Sequence, residues 1–168
     1  LAVPLAARIG KKGAFAAAMG AAAVLSLFFF RLEPSELGWL FALQALVSVA
    51  AGVVLPLLWS MYADIVDYEE YRSGRRPTGL IFSSSSMSQK LGWALGGAVT
   101  GWLLAAFGYD QSAAVQSGEA IAGVRLMMSW FPAAGCLLAA AAVLFYPLGE
   151  KRMERITTEL NLRRKTNE

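Results

Sequence analysis

The chain contains no histidine and a single cysteine, Cys136. The missing histidine removes the usual general base and the commonest metal ligand. One cysteine, set in an apolar run, excludes a disulfide framework and a cysteine metal cluster. No nucleophile–base pair stands out, so an enzyme is not expected, and no cofactor is implied. Charge is also scarce, at 16% of residues against about 25% in an average soluble domain. Four stretches, 13–30, 37–63, 91–109 and 126–149, carry no Asp, Glu, Lys or Arg at all. The first seven residues lack the basic start of a signal peptide.

Apolar residues fill the space that charge leaves, at 57% of the chain. A helix that spans a bilayer needs about 20 largely apolar residues. Four segments meet that length, and a soluble protein of this size could not keep all four from water. The expectation is an all-α integral membrane protein with four complete transmembrane helices, near 14–30, 36–62, 79–108 and 120–147. Residues 1–7 read as the end of a fifth, because the chain opens without Met in an apolar segment already under way; that predicts a partial chain. Residues 1–150 then form a transmembrane bundle and 151–168 a charged tail. Met153, Ile156 and Leu160 in that tail suggest a short amphipathic helix on the membrane surface. Pro56 and Pro132 fall inside predicted helices and should kink them. A short basic turn spans 8–13, a loop with Glu33 and Pro34 spans 31–35, and a loop dense in charge spans 63–78. No strand alternation is visible.

A net charge of +3 can signal nucleic acid. Here, however, the basic residues sit at the ends of apolar runs, as topology signals do, so no nucleic-acid partner is expected. Arg8, Lys11 and Lys12, then Arg72, Arg75 and Arg76, then Lys151, Arg152, Arg155, Arg163, Arg164 and Lys165 fall on one side if the helices alternate. The other side has Arg31 and Arg125. Twelve against two places the basic turn, the charged loop and the C-terminus in the cytoplasm.

Lys90 stands alone in the third predicted helix, eleven residues past Gly79. That is about 16 Å along the helix, near the middle of a ~30 Å hydrocarbon core. A cation there costs at least about 2.5–3.5 kcal/mol, so it should face a cavity or a carboxylate; the bland alternative is a lysine snorkelling to the interface. No acidic residue lies at matching depth in another predicted helix. Ser83, Ser86, Lys90, Gly97 and Thr100 share one helix side, flanked by Ser85 and Gln89. Trp93 could offer an aromatic face to a sugar ring or simply pack. Gly92 with Gly96, and Gly97 with Gly101, are four apart and allow close helix approach. Asp64 and Asp67 share a face at the end of the second helix, near Arg72, Arg75 and Arg76. These charges read as a salt-bridge latch or as solvated topology charges; the arginines oppose a metal.

The run Met61-Tyr62-Ala63-Asp64-Ile65-Val66-Asp67-Tyr68-Glu69-Glu70-Tyr71, with Gly74-Arg75-Arg76, Gly79-Leu80-Ile81-Phe82-Ser83 and Gln89-Lys90-Leu91-Gly92, resembles the glycoside–pentoside–hexuronide:cation symporter family of the major facilitator superfamily. The resemblance runs from Arg8 to the tail. It implies a twelve-helix fold of which this chain holds the end of helix eight and helices nine to twelve, in the cytoplasmic (inner) membrane. It further implies Na⁺- or H⁺-coupled symport of a sugar or glycoside by alternating access, with an N-terminal half as the partner. Lys90, Gln89, Ser86, Ser85 and Trp93 then belong to the substrate and cation cavity, and Asp64, Asp67 and Arg76 to the cytoplasmic gate. Departures from the family pattern at Ser85, Ser86, Gln89 and Leu55 leave the sugar open. A lysolipid or other solute on the same fold, and a non-transporting membrane scaffold, are the rival readings.

Overall fold

The computed structural model describes residues 2–33 and 36–166, with side chains for 4–33 and 36–165. Leu1, the Pro34–Ser35 part of the predicted loop and the last two residues of the tail lie outside the described residues. Every regular element among the described residues is helical, with no strand. The helices are α1 (Ala2–Phe28), α2 (Leu37–Ser73), α3 (Thr78–Ala106), α4 (Gly118–Met128), α5 (Trp130–Leu144) and α6 (Glu150–Thr166), and a short 3-10 turn (Phe29–Arg31) follows α1.

The most extensive packing is that of α1 against α5 and α2. Its cause lies in the alanines. Ala14, Ala18 and Ala22 recur every four residues, so they form one narrow stripe, and all three are buried. Small side chains let helix backbones come close without polar glue. Phe15 and, across the seam, Val53, Val54, Leu57, Met61 and Val143 fill the core around the stripe.

Five departures from the sequence reading matter. The basic turn contracts to one residue: α1 runs through it, with a sharp kink at Gly10 (φ 79°, ψ 158°). That backbone region is open essentially to glycine alone. The second helix does not stop at residue 62. It continues to Ser73 and takes in most of the predicted charged loop. At 37 residues it is about 55 Å long, longer than the ~30 Å a hydrocarbon core requires, and its charges lie in the last turns. Gly74 (φ 69°) ends it in the left-handed cap conformation, its N–H donating to the Glu70 carbonyl at 2.9 Å.

The fourth predicted helix is two helices, broken at Ser129. Pro132 lacks an N–H and its ring would strike the carbonyl four residues back in a regular helix. The chain therefore leaves helical geometry at Ser129, which is fully buried. Its N–H donates to the carbonyls of Arg125 (3.1 Å) and Leu126 (3.2 Å), and its hydroxyl donates to the Arg125 carbonyl at 2.6 Å.

By length and composition three segments can cross a membrane: Pro4–Arg31, Leu37–Ser73 and Gly118–Leu144. The four-span count thus loses α3 by this measure. Although α3 has 29 residues, its serine-rich run and Lys90 dilute its hydropathy. The tail is a helix, but its apolar edge is already used. Leu148, Met153, Ile156 and Leu160 are buried on Ile65, Tyr68, Tyr71 and Tyr146, so that edge faces protein rather than lipid.

Candidate functional site

Charge concentrates where α1 kinks, α2 ends and α6 returns. Lys11 follows the Gly10 kink and its Nζ donates to both oxygens of Asp64, at 2.8 and 2.7 Å. Asp64 is 9% exposed, so this pair neutralises a nearly buried carboxylate. Lys12 turns the other way. Its ammonium donates to the carbonyls of Leu144 (2.5 Å) and Tyr146 (3.3 Å), a cation placed on the C-terminal end of the α5 dipole. Tyr146 donates its hydroxyl to the Met61 carbonyl at 3.3 Å. Burial, with the Asp64 carboxylate nearby, pushes that phenol up, so it remains a neutral donor.

One turn beyond Asp64, Arg76 reaches back from the α2–α3 link to Asp67 (3.1 Å) and Glu70 (2.7 Å). Glu70 also accepts from Arg164 of α6 at 2.7 and 3.3 Å. The Glu70 carboxylate in turn raises the Arg164 guanidinium above its ordinary value. Two arginines of α6 also lie over α2 tyrosines: Arg152 on Tyr68 (5.1 Å) and Arg163 on Tyr71 (5.0 Å). This end is therefore a ladder of paired charges that ties three separate stretches of chain together.

The sequence-predicted trio is only partly one unit. Arg76 pairs with Asp67, as the latch reading requires, but Asp64 pairs with Lys11 and not with an arginine of the loop. Lys11, Glu70 and Arg164 were missed as members. Glu70 was within reach of sequence reasoning, since it lies three residues past Asp67 and shares its helix face. Lys11 and Arg164 lie 53 and 94 residues from their partners, and no local spacing reports that.

The second region is the face of α3. Ser83, Ser86 and Lys90 line one shallow groove with Met87, Leu91 and Ala94, so these three predicted residues do come together. The other cavity candidates sit elsewhere on the helix. Ser85 donates its hydroxyl to the Ile81 carbonyl at 2.8 Å, Gln89 is half-buried, and Trp93 is 76% exposed. Among the described residues Lys90 enters no ion pair. No residue of α3 is buried. One aromatic contact holds its charged-end portion: Phe82 stacks on Trp59 of α2 (5.6 Å, 17°), with Tyr62 edge-on to both. Its far end closes on α4, where a Cβ at Gly123 would run into the Phe107 side chain. Among the described residues no group of three His, Cys, Asp or Glu side chains could hold a metal ion.

Long apolar helices with charge massed at one end place the chain among multi-pass membrane proteins. Comparison with known proteins agrees. The family model described as MFS/sugar transport protein matches residues 1–150. The chain is 34% identical over 162 residues to a glucuronide carrier protein homolog of Escherichia coli K12, covering 96% of this chain and 35% of the relative. It is 36% identical over 155 residues to the putative glycoside/cation symporter YagG of the same organism, covering 91% and 33%. Against the isoprimeverose transporter of Lactiplantibacillus pentosus it is 43% identical over 98 residues, covering 58% and 20%. The chain belongs to the glycoside–pentoside–hexuronide:cation symporter family of the major facilitator superfamily. It spans about a third of the length of the first two relatives. No solved structure gives a significant match.

Proposed function

We propose that this chain is the C-terminal part of a symporter that moves a sugar or glycoside together with Na⁺ or H⁺ across the cytoplasmic membrane by alternating access. The end of helix eight would be the part of α1 before Gly10, and helix nine the rest of α1. Helix ten would be α2, helix eleven α3, and helix twelve α4 with α5. Residues 1–150 form the partial bundle and 151–168 the tail, with the paired-charge end and the C-terminus in the cytoplasm. The remaining helices, in an N-terminal half, would complete the cavity. Three curated relatives named as sugar or glycoside carriers support the substrate class. A serine-lined face with a cation suits a polyhydroxylated solute better than a lysolipid, and neither the lipid nor the scaffold reading has an observation of its own.

The observation that carries the mechanism is the contrast between a charged end where carboxylates and cations pair and a lysine, Lys90, that enters no ion pair among the described residues. Lys90 needs an anionic group from the rest of the transporter, from the substrate, or from both in turn. Ser86, Ser85, Gln89 and Trp93 would complete the cavity wall around it. At the other end Asp64, Asp67 and Arg76, joined by Lys11, Glu70 and Arg164, would hold the cytoplasmic side closed until the two halves rock about the site. The test is accumulation of a labelled glycoside against its gradient by the full transporter carrying Asp64→Asn with Asp67→Asn. Accumulation should slow while surface expression holds, and cavity cysteines should become more accessible from the cytoplasmic side. Unchanged accessibility from both sides would remove the gate assignment.

A further inference from the structure

The Glu70 carboxylate serves two arginines at once. Its Oε2 accepts from Arg76 of the α2–α3 link and from Arg164 of α6, each at 2.7 Å. Two nitrogens on one oxygen are no farther apart than twice that distance, inside the ~8 Å screening length of physiological salt. Like charges at that spacing repel, so each arginine weakens the other's hold on Glu70. The two arginines also belong to different tasks. Arg76 stands just before the start of α3 at Thr78, and its carbonyl accepts from the Thr78 N–H at 2.9 Å. Clasping Arg76 to Glu70 and Asp67 therefore fixes the entry to α3. Arg164 lies in the last turn of α6, and α6 has other grips on α2. Met153, Ile156 and Leu160 are buried on Ile65, Tyr68 and Tyr71, and Arg152 and Arg163 lie over Tyr68 and Tyr71. The tail stays down without Arg164, which leaves that arginine free to act on the link.

We propose that Glu70 is a fork through which the C-terminal helix regulates the α2–α3 link. With Arg164 on Glu70 the Arg76 clasp is slackened. With Arg164 withdrawn, Arg76 has Glu70 and Asp67 to itself and holds the start of α3 more tightly. Arg164 is a positioning residue that acts through Glu70. By linkage the effect is reciprocal: a tighter Arg76 clasp loosens the last turn of the tail. The bearing of the fork on transport rests on the gate reading proposed above, whereas the antagonism itself needs only these side chains.

The test is amide hydrogen exchange, read by mass spectrometry, on the full transporter in nanodiscs. Exchange over 78–81 reports the link, because the Thr78 and Ile81 N–H groups donate to the carbonyls of Arg76 and Pro77. Exchange over 160–165 reports the last turn of the tail. At low salt Arg164→Gln should slow exchange over 78–81 by about two- to fivefold, the scale of an exposed charge pair. Arg76→Gln should slow exchange over 160–165 by a similar factor. Arg164→Lys keeps the charge and should leave the link close to the parent, and high salt should shrink both effects. A merely structural ion pair predicts the opposite sign, with either loss quickening exchange at both places. Faster or unchanged exchange over 78–81 in Arg164→Gln, or over 160–165 in Arg76→Gln, would overturn the fork. Arg164→Gln should also make cavity cysteines less accessible from the cytoplasmic side. Slowed exchange with unchanged accessibility would keep the fork and remove the gate reading instead.

Discussion

The charged end of the molecule and the middle of α3 spend cations in opposite ways. At the charged end Lys11 and Lys12 of α1, Arg76 of the α2–α3 link and Arg164 of α6 each meet an acceptor within the chain, supplied by α2 or α5. On α3 one lysine stands on a helix with no buried residue and enters no ion pair among the described residues. A paired surface charge is worth little and can be remade in many ways. An unpaired charge at membrane depth is costly and is retained only where something outside the helix neutralises it. The first region holds pieces of this chain together; on the proposed function, the second meets an anionic group from the rest of the transporter or from the substrate.

The sharpest way to break that contrast is to remove Lys90. In the full transporter Lys90→Leu should insert more easily, by about 2.5–3.5 kcal/mol on insertion scales, and should reduce coupled glycoside accumulation to background. Lys90→Arg should fail as well, since a planar fork does not replace a compact ammonium. Accumulation at the parental level by a well-expressed Lys90→Leu protein would make the residue structural and erase the contrast. At the charged end the strongest single effect should come from Asp64. Lys11→Met strands a nearly buried carboxylate and should cost about 1–3 kcal/mol in thermal unfolding in detergent. Lys11→Met with Asp64→Asn should recover most of that loss. Additive losses in the double-mutant cycle would show that the two do not interact.

The anchoring of α3 can be tested at Gly123. Alanine there should destabilise by about 1–3 kcal/mol through overpacking on Phe107, and Phe107→Ala should relieve it. If Gly123→Ala melts like the parent, α3 is not held at this point. Gly10→Ala, which would force a non-glycine residue to φ 79°, should cost a comparable or smaller amount, of the order of 1–3 kcal/mol. It should also weaken the Lys11–Asp64 coupling, because the kink directs Lys11 one way and Lys12 the other. An unchanged coupling energy would separate the kink from the pair. The smallest effect is expected from Arg164→Gln. Its partner Glu70 keeps Arg76, and exposed pairs contribute about 0–1 kcal/mol. The loss should shrink further at high salt, and a large, salt-independent loss would mean that the tail is held by this bond rather than by Met153, Ile156 and Leu160.

Periodicity and the absence of charge determined a good deal by themselves. Four apolar runs, the side-sorting of lysine and arginine, and the isolation of Lys90 are linear facts, because a bilayer selects for length and apolarity along the chain. The shared face of Ser83, Ser86 and Lys90 follows from helical repeat alone. The resemblance carried by Ala63-Asp64 through Lys90 identified the family. Helix ends were less legible. The charged stretch after residue 62 reads as loop when charge marks the membrane edge, yet glutamate and arginine are good helix formers and the helix continues until Gly74 stops it.

Only the tertiary structure decided which charges pair. Asp64 has Arg72, Arg75 and Arg76 close by in sequence, and a lysine 53 residues away takes it instead, because a one-residue kink at Gly10 turns Lys11 towards α2. The tail's apolar edge is the same in sequence whether it faces lipid or protein, and the half-buried tyrosines at the end of α2, packed under it, settled which. Local spacing encodes faces and lengths; the partners of those faces depend on where distant backbone comes to rest, and that is set by the alanine stripe that draws α1 against α2 and α5.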